Sequence, residues 1–272
     1  MIRKIVLLVV TICFLTITHS QAATLIESKD SQGTLTRMWI EGSAMRIDID
    51  NQPSYMLFDI KNKKMYAVDP EKREAMDMSH LFNEDKKNVS GRPEHKIKFD
   101  KRGNGPVIAG YSTLHYQSSV NGMKCADEYL SKKAFDDIAS LEIFEALSKM
   151  AESSRMGMGS QDPCESADKN AMQNYKINGY PLKLVKSDGS VYSEVTRISL
   201  KVIKPKSDFQ VPDGYRVIDF GQMMDEQMKF MPKGSNNQAM PQMDRMENQE
   251  MNPAEMQLML EQMMKNMERE KK

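Results

Sequence analysis

Cysteine is scarce in this chain of 272 residues: there are three, Cys13, Cys125 and Cys164, and none forms a C-x-x-C pair. That absence excludes a thioredoxin-like dithiol and a four-cysteine zinc site. Net charge is missing as well, with 38 Lys and Arg against 38 Asp and Glu. A neutral chain has no field to draw it to phosphate backbones, so nucleic acid is excluded as a partner. No apolar run reaches the ~20 residues of a spanning helix. The longest, Ile5 to Ile17, is interrupted by Thr11 and Thr16.

The signatures of catalysis are also absent. There is no Gly-rich phosphate loop, no G-x-S-x-G elbow and no H-E-x-x-H helix. Beyond the first 22 residues only His80, His95 and His115 remain, and no two stand at metal-ligand spacing. Asp48 and Asp50 resemble a carboxylate pair, but on an alternating strand residues i and i+2 merely share the outward face. Nothing brings together a nucleophile, a base and an orienting group. The expectation is a protein that is not an enzyme.

What the chain does have begins with an export signal over residues 1–22. Arg3 and Lys4 supply the positive start, Ile5 to Ile17 the apolar segment, and Ser20-Gln21-Ala22 the small residues of a cleavage site. Cys13 follows Ile12, where a lipoprotein signal needs a small residue, so lipid attachment there is not expected. Cleavage after Ala22 leaves 36 basic and 38 acidic groups, a net charge of −2. The expected location is the periplasm. In that oxidising compartment Cys125 and Cys164 are expected to pair as a disulfide rather than persist as two buried thiols.

From Ala23 to Phe220 the chain reads mostly as strands. Met45-Arg46-Ile47-Asp48-Ile49-Asp50 alternates apolar and charged residues without a fault, as a sheet wet on one face requires. Thr34 to Ile40 precedes it across Glu41-Gly42-Ser43. Ser54 to Ile60, Lys64 to Val68 and Ala75 to Met78 follow at spacings too short for parallel crossovers, which predicts antiparallel neighbours. Residues 83–90 read as a charged loop. His95 to Asp100 is extended, and Arg102-Gly103-Asn104-Gly105-Pro106 is expected to break it. Val107 to Val120 and Met123 to Tyr129 flank Asn121-Gly122, a strong two-residue hairpin signal. Asp188-Gly189 repeats the device between Pro181–Lys186 and Val191–Ile203.

One long helix is expected over Ser131 to Ala151. There Phe135, Ile138, Ala139, Ile143, Ala146, Leu147 and Met150 recur at helical spacing. Met156 to Asn170 reads as a connector. After Phe220 the composition changes: residues 221–272 hold 13 of the 25 methionines and no Val, Ile, Thr, Tyr or Trp. A segment without β-branched residues is a poor strand. It reads as a largely disordered Met-rich tail, ending in a short amphipathic helix near 252–268 introduced by Asn252-Pro253-Ala254-Glu255.

The run Met38-Trp39-Ile40-Glu41-Gly42 leading to Met45-Arg46-Ile47-Asp48, with Tyr55-Met56-Leu57-Phe58-Asp59 after it, resembles an exported bacterial family, domain of unknown function 4412. Gly110-Tyr111, Cys125-Ala126-Asp127-Glu128-Tyr129 and Val211-Pro212-Asp213-Gly214-Tyr215 continue the likeness over roughly Ala23 to Phe220. That family is similar in fold to the LolA/LolB-like periplasmic lipoprotein carriers. The resemblance implies an unclosed, strongly curved antiparallel sheet with helices in its mouth, and no catalytic residues. The strand and turn pattern agrees on an α+β fold: an antiparallel half-barrel covered by one long helix.

Such a sheet is expected to bind a hydrophobic ligand or a lipidated protein in a cleft lined by Trp39, Met45, Ile47, Met56, Phe58, Phe135, Ile138, Ile143 and Leu147. Two other readings stand beside it. Thioethers are soft ligands suited to Cu(I), and Met228, Met231, Met240, Met243 and Met246 recur in polar surroundings in the tail. A Met-rich helix also suits adaptable docking onto a partner protein, or back into the chain's own cleft.

Overall fold

The computed structural model describes residues 22–82, 97–138, 143–146, 163–164 and 171–223. Its framework is twelve strands in one sheet. In chain order they are β1 (Ala22–Asp30), β2 (Leu35–Glu41), β3 (Ala44–Ile49), β4 (Tyr55–Asp59), β5 (Lys64–Asp69), β6 (Glu74–Asp77), β7 (Ile97–Ile108), β8 (Tyr111–Val120), β9 (Met123–Ser131), β10 (Tyr180–Lys186), β11 (Val191–Ile203) and β12 (Arg216–Asp219). The spatial order is β12-β6-β5-β4-β3-β2-β1-β11-β10-β9-β8-β7, so the sheet is open, with β12 and β7 at its ends. Two meanders of hairpins are joined where β1 pairs antiparallel with β11, Ile26 opposite Ile198.

Local chemistry explains the turns. Asn121 and Gly122 both have positive φ, 51° and 82°, as a tight hairpin needs. Asp188 accepts the Ser190 N–H at 2.8 Å, and Gly189 turns at φ 86° between β10 and β11. Two expectations fail on the outer hairpin. Arg102 to Pro106 does not break β7, which runs through them with two bulges against β8. Pro106 is tolerated because β7 is an edge strand and needs no second set of N–H donors. Val107 to Val120 is not one strand: Ala109 and Gly110, at φ 48° and 83°, turn the chain between β7 and β8.

One pairing is parallel. β12 lies beside β6 with Val217 opposite Ala75, so the sheet is not wholly antiparallel. The segment from Lys204 to Tyr215 reaches that edge by crossing one face of β2–β6. Along it the Asp208 carbonyl accepts from Arg46, and Val211 and Tyr215 pack on Tyr55, Leu57, Val68 and Ala75. That cover explains why Tyr55, Met56, Leu57 and Phe58 of β4 are all buried although they alternate faces.

The expected long helix is helical over α1 (Lys132–Ile138) and again at 143–146. Residues 139–142 and 147–151 lie outside the described residues, as does most of the connector. A second helix, α2 (Ala171–Asn178), precedes β10, so the expectation of a single helix is corrected. Its C-terminal Gly179, at φ 118°, lies where a Cβ would come 2.2 Å from the carbonyl carbon of Ser131. The tail beyond Met223, including the amphipathic helix expected near 252–268, falls outside the described residues.

Candidate ligand-binding face

Register decides which side chains share a face. Glu41 pairs with Ala44 across the two-residue turn Gly42-Ser43, which puts Met38 opposite Ile47 and Ile40 opposite Met45. Ile47 faces Met56 and Met45 faces Phe58. Met56 in turn faces Ala67, and Phe58 faces Met65. Ala67 faces Met76. One face of β2–β6 is therefore a continuous apolar surface. Met45, Met56, Met65, Met76 and Met78 are all buried in a single cluster there, with Met38 and Met223 packed against it. Seven thioethers on one surface make it polarisable and easily reshaped, because Met has three rotatable bonds and no branching.

The cluster continues onto the rest of the fold. Ile26, Leu182 and Val195 join it from β1, β10 and β11, while Ala134, Ile138, Ile143 and Phe144 join it from the helical segment. Ser131 starts that segment by accepting the Ala134 N–H at 3.3 Å. Tyr111 donates to Asp137 at 3.0 Å. Lys176 of α2 pairs with Glu145, so the helical pieces are tied together. Tyr180, tilted against Phe144 with ring centres 5.1 Å apart, has its phenol pushed up to about 12 by burial. Cys125 and Cys164 are bonded, their Cα atoms 5.5 Å apart, closing a chain segment that contains α1.

Of the residues expected to line a cleft, Met45, Ile47, Met56, Phe58, Ile138 and Ile143 belong to this cluster. Trp39 does not. It stands opposite Arg46 on the other face, and Lys204 lies 4.2 Å over its ring. Phe135 is also outside the cluster: α1 buries Ala134 and Ile138, one turn apart, and Phe135 is half-buried with Lys132 above its ring. Leu147, Met228, Met231, Met240, Met243 and Met246 lie outside the described residues. Met38, Met65, Met76 and Met78 join the cluster without having been expected; the alternation of Met76 and Met78 about Asp77 is a strand signal for that pair, whereas Met38 sits in an apolar run without parity.

Among the described residues no group of three or more His, Cys, Asp and Glu is placed to hold a metal ion. Thioethers, methyl groups and rings dominate the cluster, a surface suited to apolar contact rather than to proton transfer.

A family model described as "Domain of unknown function (DUF4412)" matches residues 24–215. No curated protein matches the chain. Solved structures give loose likenesses. An uncharacterized conserved protein from Thermus thermophilus is 9% identical over 74% of this chain and 92% of that chain, with a TM-score of 0.38. PNGF-II is 12% identical over 76% of this chain and 32% of that chain, at 0.36. MucB, in the complex MucA/MucB of Pseudomonas aeruginosa, is 10% identical over 73% of this chain and 59% of that chain, at 0.35. Scores this low carry no argument about what the chain does.

Proposed function

This chain belongs to the DUF4412 family, and we propose that it is a non-catalytic periplasmic protein that holds the acyl chain of a lipid or lipidated partner. The observation that carries this reading is the methionine-lined face of β2–β6, with five methionines buried in one cluster. In this reading the sheet curves around that face as an open half-barrel, and the helical segment lies in its mouth. An acyl chain enters by displacing Ile138, Ile143 and Phe144 and takes over their contacts. Each buried methylene contributes about 0.8 kcal/mol, so a long chain offsets the cost of moving the cover.

Support for the location comes from the signal-like residues 1–22 and from the Cys125–Cys164 bond, which suits an oxidising compartment. A fluorescent fatty acid tests the reading. Binding is expected to be saturable and to be weakened by Met56→Lys, which sets a charge in the middle of the face. Binding that is absent in the parent chain, or unaltered in Met56→Lys while the variant stays folded, contradicts it.

A further inference from the structure

A polar groove of about 440 Å³ lies on β7–β9, at the opposite end of the strand order from the methionine-lined strands. Register builds it. Lys98 stands opposite Ser119, which stands opposite Lys124; Asp100 stands opposite Gln117, which stands opposite Asp127. Gln117 and Ser119 therefore point the same way, with the β7 and β9 residues beside them. Arg102 completes the row by donating to the Gln117 side-chain carbonyl. The next residue, Gly103, stands opposite His115 and sets no side chain above it. The Asn121-Gly122 turn closes one end.

The charges are arranged unequally, with Asp127 and His115 standing beside the groove rather than in its lining. Lys98 pairs with Asp100 at 2.7 Å, and Lys124 with Asp127 at 2.5 Å. Asp127 also meets the His115 imidazole at 2.8 Å. Burial pushes the Asp127 carboxyl up, but Lys124 and His115 outweigh it and hold it below the usual carboxylate range. Each lysine is thus paired with a carboxylate. Arg102 is not: its partner Gln117 is neutral, and no carboxylate among the described residues pairs with it. Three cations and two carboxylates leave one guanidinium fork with donors to spare, a geometry that suits a bidentate carboxylate.

We propose that this groove binds a uronic-acid-type sugar, its carboxylate on Arg102 and its hydroxyls on Gln117, Ser119 and Asp100. Hydroxyls both donate and accept, which matches the Gln117 amide, the Ser119 hydroxyl and the acceptor-only Asp100. A neutral sugar leaves Arg102 unmatched. The volume falls at the lower end of ordinary small-ligand sites, enough for one ring.

Titration of the full chain with sodium glucuronate at constant ionic strength tests the proposal, with backbone amide shifts as readout and glucose as the comparison ligand. Glucuronate is expected to move the amides of Gln117, Ser119, Asn121 and Gly122, and to bind more tightly than glucose. Arg102→Gln, an exposed change on an edge strand, is expected to weaken binding about tenfold or more. Lys61→Gln, on the remote β4–β5 turn, is expected to leave it unchanged. The proposal is overturned by an absence of shifts at millimolar glucuronate, by equal or tighter binding of glucose, or by equal binding in a folded Arg102→Gln chain.

Discussion

The ammonium of Lys204 lies 4.2 Å from the centre of the Trp39 ring, on the face of β2 opposite the methionines. It also pairs with Asp208 at 2.9 Å, so it anchors the start of the crossing segment to the sheet. Further along, Arg46 accommodates both the Asp208 carbonyl and, 3.7 Å away, the Tyr55 ring. Because Trp39 is the single tryptophan, its emission reports this crossing segment. Lys204→Met is expected to lower stability by about 0.5–1 kcal/mol and to alter Trp39 emission in the folded state. Urea unfolding followed by tryptophan fluorescence measures both.

Gly179 links α2 to β10 at a point where the backbone of Ser131 and Lys132 closes in, with a Cβ falling 2.2 and 2.3 Å from their atoms. Gly189, at φ 86°, faces open space. Gly179→Ala is therefore expected to cost more than about 3 kcal/mol, through backbone displacement as well as φ strain. Gly189→Ala is expected to cost about 1–2 kcal/mol, from conformation alone. Thermal unfolding of the two variants side by side gives the comparison.

Cys125 and Cys164 are 39 residues apart in sequence. Closing a loop of that length stabilises by about 4 kcal/mol on the chain-entropy model. The Cys125→Ser/Cys164→Ser chain is expected to unfold at correspondingly lower urea concentration. A mass lower by two hydrogen atoms than that of the reduced protein confirms the bond in the parent.

Two carboxyls make stability depend on acid pH. Burial pushes Asp77 up, but the Ser79 hydroxyl and N–H, together with Lys64, hold it below the usual range. Asp127 is depressed in the same sense. Their folded values lie below the unfolded value near ~3.9, so the stabilisation is complete above that value and is lost as pH falls through the folded ones. Asp77→Asn and Asp127→Asn are each expected to flatten the decline in unfolding free energy below about pH 4. At the other end Tyr180, raised to about 12, contributes stability that is full below pH ~10 and lost as pH rises to its folded value. Urea midpoints across pH measure both limbs.

Much of the sheet was legible because single-face burial writes itself as alternation. Met45 to Ile49 showed it without fault, and Asn121-Gly122 and Asp188-Gly189 marked their hairpins. The Ala109-Gly110 turn was hidden because alanine at positive φ carries no turn signal. Trp39 was misplaced because Met38-Trp39-Ile40 is apolar throughout and shows no parity. The two-residue turn Gly42-Ser43 pairs Trp39 with Arg46, and Arg46 belongs to the charged side of β3. The parallel β12 was also unreadable. Its partner β6 lies far away in sequence, and four residues, Arg216–Asp219, are too few for a period to declare itself. In α1 the buried pair is Ala134 and Ile138, a spacing of four, which leaves Phe135 off the stripe.

Whether the methionine-lined face holds an acyl chain is tested most directly by native mass spectrometry, with organic extraction, of the protein purified from cells that produce it. A fraction of molecules carrying an extractable acyl-chain lipid is expected, and a smaller fraction in Met56→Lys. Parent protein that is consistently free of lipid, and that takes up none from detergent-solubilised membranes, contradicts the proposed function.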